Sequence, residues 1–201
     1  MPGPRRPGYS GAVKICVFCS SSDAVDGGYI AAASEMGSLI GAGGHTLVFG
    51  GGRVGLMGAT ARAVHQGGGR VIGVIPRFMD KPGVPYVESD QLVFTADMRE
   101  RKARMMEMSE AFIALPGGFG TLEEISEVIT QKQFGFVRGP LVVVSTEGFF
   151  EPLAAFFETF YQRSFAKPVF RATCPFVATP ADAMAYIRDY SPPEVVSKWF
   201  T

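Results

Sequence analysis

Ala111-Phe112-Ile113-Ala114-Leu115-Pro116-Gly117-Gly118-Phe119-Gly120-Thr121-Leu122-Glu123-Glu124 reads as a buried strand, a glycine turn and a helix in immediate succession. Five apolar residues in a row, Ala111 to Leu115, suit a strand covered on both faces. Pro116 stops it. The glycines let the backbone approach a ligand, and the helix that follows offers free N–H groups and a positive dipole end to an anion. The spacing predicts that helix over Thr121 to Phe134, with Leu122, Ile125, Val128 and Ile129 on one face. Thr121-x-x-Glu124 also has the form of a capping box, in which Glu124 would do no more than satisfy a backbone N–H.

The same grammar recurs on both sides. Upstream, strands are predicted at Val13 to Cys19, Thr46 to Phe49, Arg70 to Ile75 and Gln91 to Thr95. The intervening helices are Tyr29 to Ala42, Leu56 to Gln66 and Asp97 to Ser109, with Asp97 as an N-cap. Downstream, a strand at Leu141 to Val144 precedes a helix with Pro152 in its first turn. Leu153, Phe156, Phe157 and Phe160 there have the spacing of a core face, and the Phe-rich helix reads as core or dimer surface. A strand at Phe176 to Ala178 and a helix from Pro180 to Tyr190 complete the pattern. Strand–helix alternation of this kind gives an α/β fold: a doubly wound, Rossmann-like parallel sheet with helices on both faces. Residues 1–11 read as a flexible tail, and 12–201 as a single nucleotide-binding α/β domain.

Composition narrows the function. The chain has 201 residues, 47% hydrophobic and 19% charged, which is globular rather than disordered. Lys plus Arg and Asp plus Glu are both 19, so zero net charge gives no general attraction to nucleic acid or anionic membrane. No apolar run is long enough to span a bilayer, and no signal-peptide pattern opens the chain; a cytoplasmic protein is expected. Three cysteines do not make a disulfide framework. Cys16 and Cys19 form a CxxC, but strand alternation turns them to opposite faces. Two histidines leave little for a His-based metal site or triad; no metal and no cofactor are expected.

Glycine is in excess, with 25 residues, and its clusters sit where a parallel sheet binds ligands, at strand carboxyl ends. Gly50-Gly51-Gly52-Arg53-Val54-Gly55 contains a formal G-x-G-x-x-G, but no acid follows at the end of the next strand, and the cluster follows the second strand instead of the first. A dinucleotide site is therefore disfavoured. The cluster at Pro116 to Gly120 lacks the lysine of a P-loop. Between the two, Arg99, Arg101, Lys102 and Arg104 crowd the start of one helix, where Arg can grip a phosphate bidentately and Lys adds a point charge. Ser20, Ser21 and Ser22 end the first strand at the same edge. Two anion-friendly loops with a basic helix between them point to a phosphorylated small molecule.

Pro116-Gly117-Gly118-Phe119-Gly120-Thr121-Leu122-Glu123-Glu124 fits P-G-G-x-G-T-x-x-E. With Met98-x-x-Arg101-Lys102 and Gly50-Gly51-Gly52-x-x-Gly55-Leu56-Met57-Gly58, it resembles the LOG (Lonely Guy) family, cytokinin riboside 5′-monophosphate phosphoribohydrolases often labelled lysine decarboxylases. The resemblance runs from about Val13 to about Tyr190. It implies hydrolysis of the N-glycosidic bond of a purine nucleoside 5′-monophosphate, with Arg101 and Glu124 as the catalytic pair. It further implies substrate binding by Lys102, Gly117, Gly118, Gly120, Thr121 and Glu123; Gly51, Gly52 and Met98, within the matching motifs, and Ser20, from its place at the end of the first strand, complete the expected binding set. It also implies a homodimer or higher homo-oligomer. Arg99 stands where the family commonly has His, and Ser20 where Gly is common. Glu88 is the nearest stand-in for an acidic substrate contact in the loop from Phe78 to Gln91. A general AMP nucleosidase and a non-catalytic nucleotide or phosphorylated-cofactor carrier are the alternatives. The decarboxylase label has no recognisable pyridoxal phosphate site behind it.

Overall fold

The structure, a computed structural model, describes residues 11–192; the tail expected over residues 1–11 lies outside them except for Gly11, as do residues 193–201 of the expected domain. Among the described residues seven strands form one sheet: β1 (Lys14–Phe18), β2 (Thr46–Phe49), β3 (Arg70–Pro76), β4 (Gln91–Thr95), β5 (Ala111–Ala114), β6 (Leu141–Val144) and β7 (Phe176–Val177). Their order is β4-β3-β2-β1-β5-β6-β7. Every pairing is parallel, and β1 lies between β2 and β5 with Val17 opposite Phe49 on one side and Ile113 on the other. The chain winds outward from β1 to β4, then returns to β5 on the far side of β1. The strand order reverses between β1 and β5, and a doubly wound sheet opens its ligand crevice at such a point.

Among the described residues the α-helices are α1 (Gly27–Ala42), α2 (Gly55–Gln66), α3 (Met98–Glu107), α4 (Phe119–Gln133), α5 (Glu151–Gln162) and α6 (Pro180–Asp189). Alternation along the strands divides the core in two. Ile15, Val17 and Cys19 pack with Met36 and Ile40 of α1, Leu56 and Val64 of α2, and Ile187 of α6. Cys16 and Phe18 face the other way, toward Met105 of α3, Ile125 and Val128 of α4, and Phe150. The two cysteines of the CxxC thus belong to different cores. The helix containing Pro152 forms, but no α5 residue is fully buried. Leu153 and Phe157 pack on the core, and Phe157 meets Phe176 of β7 with ring centroids 5.9 Å apart. Phe156 remains 57% exposed, contrary to the core face its spacing predicts. The reason is local: α5 covers the sheet edge, where β7 has only two residues to cover.

The segment after β3 is fastened onto the first glycine cluster. Tyr86 N donates to Gly51 O at 2.8 Å and Arg53 N to Val84 O at 3.0 Å. The Tyr86 hydroxyl lies 3.0 Å from His65 Nδ1, whose Nε2 is 3.1 Å from Asp90. Among the described residues, no helix is long and apolar enough to cross a membrane.

Candidate active site

α4 begins at Phe119, two residues before the sequence pattern places it, with Gly118 as an N-cap that has no side chain to offer. The capping box is therefore not formed. Thr121 is already inside the helix, and its hydroxyl lies over Gly117, where an added Cβ would come within 2.2 Å of Oγ1 and 3.1 Å of Ser20 N. Glu124 is one turn further in and 6% exposed. The uncapped first turn leaves its amides available to an anion. At Gly118 and Gly120 an added Cβ would meet nothing within 4 Å. Packing within the chain does not require glycine there, whereas close approach of a ligand to the backbone would.

Ser20 ties this turn to the rest of the edge. Its N–H donates to Pro116 O at 3.1 Å, and its carbonyl accepts from Met57 N at 3.2 Å. The end of β1 therefore joins the second glycine turn to the helix following the first.

Arg101 comes from α3, whose start is held by Asp97: its Oδ1 accepts from Arg99 N at 2.8 Å and Glu100 N at 2.9 Å. That fixes the next turn, and Arg101 is only 5% exposed. Its Nε donates to Val74 O and its Nη2 to Gly50 O, each at 3.1 Å. Nη1 is 3.8 Å from Glu124 Oε1. An added Cβ at Gly50 would lie 1.7 Å from Nη2. Gly50 is thus a seat for the guanidinium, a role that sequence reading missed because its partner is 51 residues away. Burial pushes the Glu124 carboxyl up to about 7, against the pull of Arg101; Glu123 reinforces the rise and Lys102 opposes it. A carboxyl near neutrality can hold or release a proton at physiological pH.

Lys102, the next residue on α3, pairs with Glu123 and with Glu127, whose Oε2 is 2.8 Å away. Burial works against its charge, but hydrogen bonds from the ammonium to both carboxylates outweigh that and raise its pKa. Glu127 is absent from the sequence motif and was missed; its only signal was its place one turn beyond Glu123 on α4. Met98 is 42% exposed at the start of α3. Gly51 and Gly52 are placed differently: Gly51 is buried and its carbonyl accepts from Tyr86, while Gly52 bridges to Pro85. These two support the 84–86 segment. Glu88 is exposed beyond it.

A pyridoxal site does not fit these residues. It needs a lysine free to form a Schiff base. Lys102 is clasped between two carboxylates with its pKa raised. Lys132 has a pKa lowered to about 8 by burial. Its ammonium donates to Gly139 O and the Tyr190 hydroxyl at the far end of α4, roughly 20 Å from the glycine turn at helical rise.

Residues 57–187 match the family model described as possible lysine decarboxylase. A probable cytokinin riboside 5′-monophosphate phosphoribohydrolase of Oryza sativa subsp. japonica is 40% identical over 187 residues, 92% of this chain and 77% of that protein. A cytokinin riboside 5′-monophosphate phosphoribohydrolase of Arabidopsis thaliana is 37% identical over 179 residues, covering 89% and 83%. Among solved structures, a molybdenum cofactor carrier protein from Chlamydomonas reinhardtii shares the fold with a TM-score of 0.68 at 21% identity, covering 88% of this chain and 96% of that one. The molybdenum cofactor binding protein of Rippkaea orientalis gives 0.67 at 18% identity, with the same coverage. At those identities the likeness shows the fold alone. The match across most of the chain to the phosphoribohydrolases, on a sheet whose reversal point carries the glycine turn and the Arg101–Glu124 pair, shows that this chain belongs to the LOG family.

Proposed function

We propose that the protein hydrolyses the N-glycosidic bond of cytokinin riboside 5′-monophosphates, N6-substituted adenosine nucleotides, to the free base and ribose 5-phosphate. The observation that carries this reading is Glu124: a buried carboxyl with a pKa of about 7, one turn inside a helix whose glycine N-terminus is open to a phosphate. The 37–40% identity to named phosphoribohydrolases supports it.

Water adds to C1′ as the bond from C1′ to the base nitrogen breaks. The bonding pair leaves with the base, which gains a proton, and the water gives one up. The sugar passes through an oxocarbenium-like state. An ionised Glu124 stabilises that charge and takes the proton from water. Arg101 faces Glu124 with one nitrogen while two others hold backbone carbonyls. It acts as a fixed counter-charge, and the α4 amides and Lys102 take the phosphate. The phosphate then anchors the sugar, so that remote binding energy orients the reacting carbon. Glu124→Gln should lower turnover by a factor of about 10² or more, the scale of losing a preorganised electrostatic group, while ribose 5-phosphate still binds. Near wild-type turnover by this variant would remove Glu124 from the chemistry.

The same reading includes a homodimer or larger homo-oligomer, supported by aromatic rings left in water, among them Phe156 at 57% and Phe165 at 80% exposed. It also includes a cytoplasmic setting, supported by three cysteines that are free and buried.

A further inference from the structure

Lys102 is contacted by more negative charge than it can neutralise. One ammonium serves two carboxylates, Glu123 and Glu127, so the trio carries a net charge of −1 when all three are ionised. A 5′-phosphate arriving at the neighbouring glycine turn adds up to two more negative charges. The two carboxylates differ in how easily they can leave. The Glu123 side chain is 59% exposed, against 31% for Glu127 and 15% for Lys102. Glu127 Oε2 is itself shut off from water and accepts no well-directed hydrogen bond, so the Lys102 charge 2.8 Å away is what compensates it. Glu123 can swing into solvent and be rehydrated. Glu127 Oε2 would have to give up its cation while buried, which is far less favourable.

We propose that Glu127 is a positioning residue that keeps Lys102 at the phosphate site, while Glu123 is a place-holder on the same ammonium that the substrate's phosphate displaces. This rests on the reading of the site as one for a nucleoside 5′-monophosphate. It gives adjacent-turn carboxylates on one helix opposite effects on binding. Without Glu123 the ammonium is free before the phosphate arrives. Without Glu127 the ammonium has a flexible four-carbon stem and no second anchor. Plain charge repulsion gives a different pattern, since removing either negative charge would then favour an incoming anion.

The test is ribose 5-phosphate binding to the full chain, measured by titration calorimetry at fixed ionic strength. Glu123→Gln should tighten binding by about threefold. Glu127→Gln should weaken it by about threefold to fivefold, the range of a partly exposed ion pair. With nucleotide substrate, Glu127→Gln should raise KM by the same factor with kcat changed less than about twofold. Both effects should vanish on a Lys102→Met background, as a coupled pair requires. Shifts of the same sign in the two variants, effects that persist without Lys102, or no ribose 5-phosphate binding by the wild type would each overturn the assignment. Nucleotide turnover is read separately. The opposite-sign pattern in a protein that turns over no nucleotide would leave Glu127 in its role and remove the hydrolase reading. Same-sign shifts in an active enzyme would do the reverse.

Discussion

Arg101 and Glu124 form a buried pair 3.8 Å apart, and the separation is a matter of anchoring. The guanidinium is tied to Val74 and Gly50 carbonyls, so it faces the carboxylate without closing onto it. Glu124 keeps a pKa of about 7 because burial outweighs that neighbour. If the ionised carboxylate does the work, kcat/KM should rise with pH up to about 7 and level off above it; a profile flat from pH 5 to 8 would contradict this. Stability runs the other way. A folded-state pKa above the unfolded one means that stability is fullest below about 4.5 and is lost as pH rises through about 7. Glu124→Gln should abolish that loss, raising stability at pH 8 by up to about 3 kcal/mol. Gly50→Ala places a Cβ 1.7 Å from Nη2 and must move Arg101. Overpacking of this kind costs about 1–3 kcal/mol. Since Arg101 lowers the Glu124 pKa, its retreat should also move the activity limb upward in pH. An unmoved limb would show that Gly50 does not seat the guanidinium.

At the scale of the element, α3 matters most, because it delivers Arg101 and Lys102 in one turn. Asp97 caps it, and Glu100 Oε2 accepts from Ala96 N at 2.6 Å to complete the start. Asp97→Ala should therefore lower unfolding free energy by about 1 kcal/mol, read from urea denaturation, and an unchanged midpoint would count against the cap. This start was legible in the sequence, as were the strands and the helices between them, because period and punctuation are local signals. The start of α4 was not. Two glycines and a phenylalanine carry no helix signal, and Thr121-x-x-Glu124 supplied a plausible but wrong boundary. The core reading of Phe156 fails for a different reason: helical spacing tells which residues share a face, not how much sheet lies beneath it, and a dimer surface is the reading its exposure leaves. The Arg101 docking on Gly50 and Val74 joins residues 51 and 27 positions apart. No local pattern encodes such a contact, so the motif names candidate residues while leaving the roles among them open.

On the scale of the whole molecule, the fold brings three distant segments to one edge: the end of β1, the turn after β5 and the first turns of α3. The strand order reverses between β1 and β5, so the helices following these two strands lie on opposite faces, the arrangement at which doubly wound sheets bind ligands. Light scattering should give a mass of at least twice the 21.6 kDa of one chain; a monomer at micromolar concentration would remove the proposed assembly. The most direct measurement is product analysis after incubation with N6-isopentenyladenosine 5′-monophosphate, with AMP in parallel. Free isopentenyladenine and ribose 5-phosphate should appear in equal amounts, with release from the prenylated nucleotide far exceeding that from AMP. Comparable release from both would make the enzyme a broader purine nucleotide hydrolase. No release from either, while ribose 5-phosphate binds, would contradict the central claim and leave a carrier.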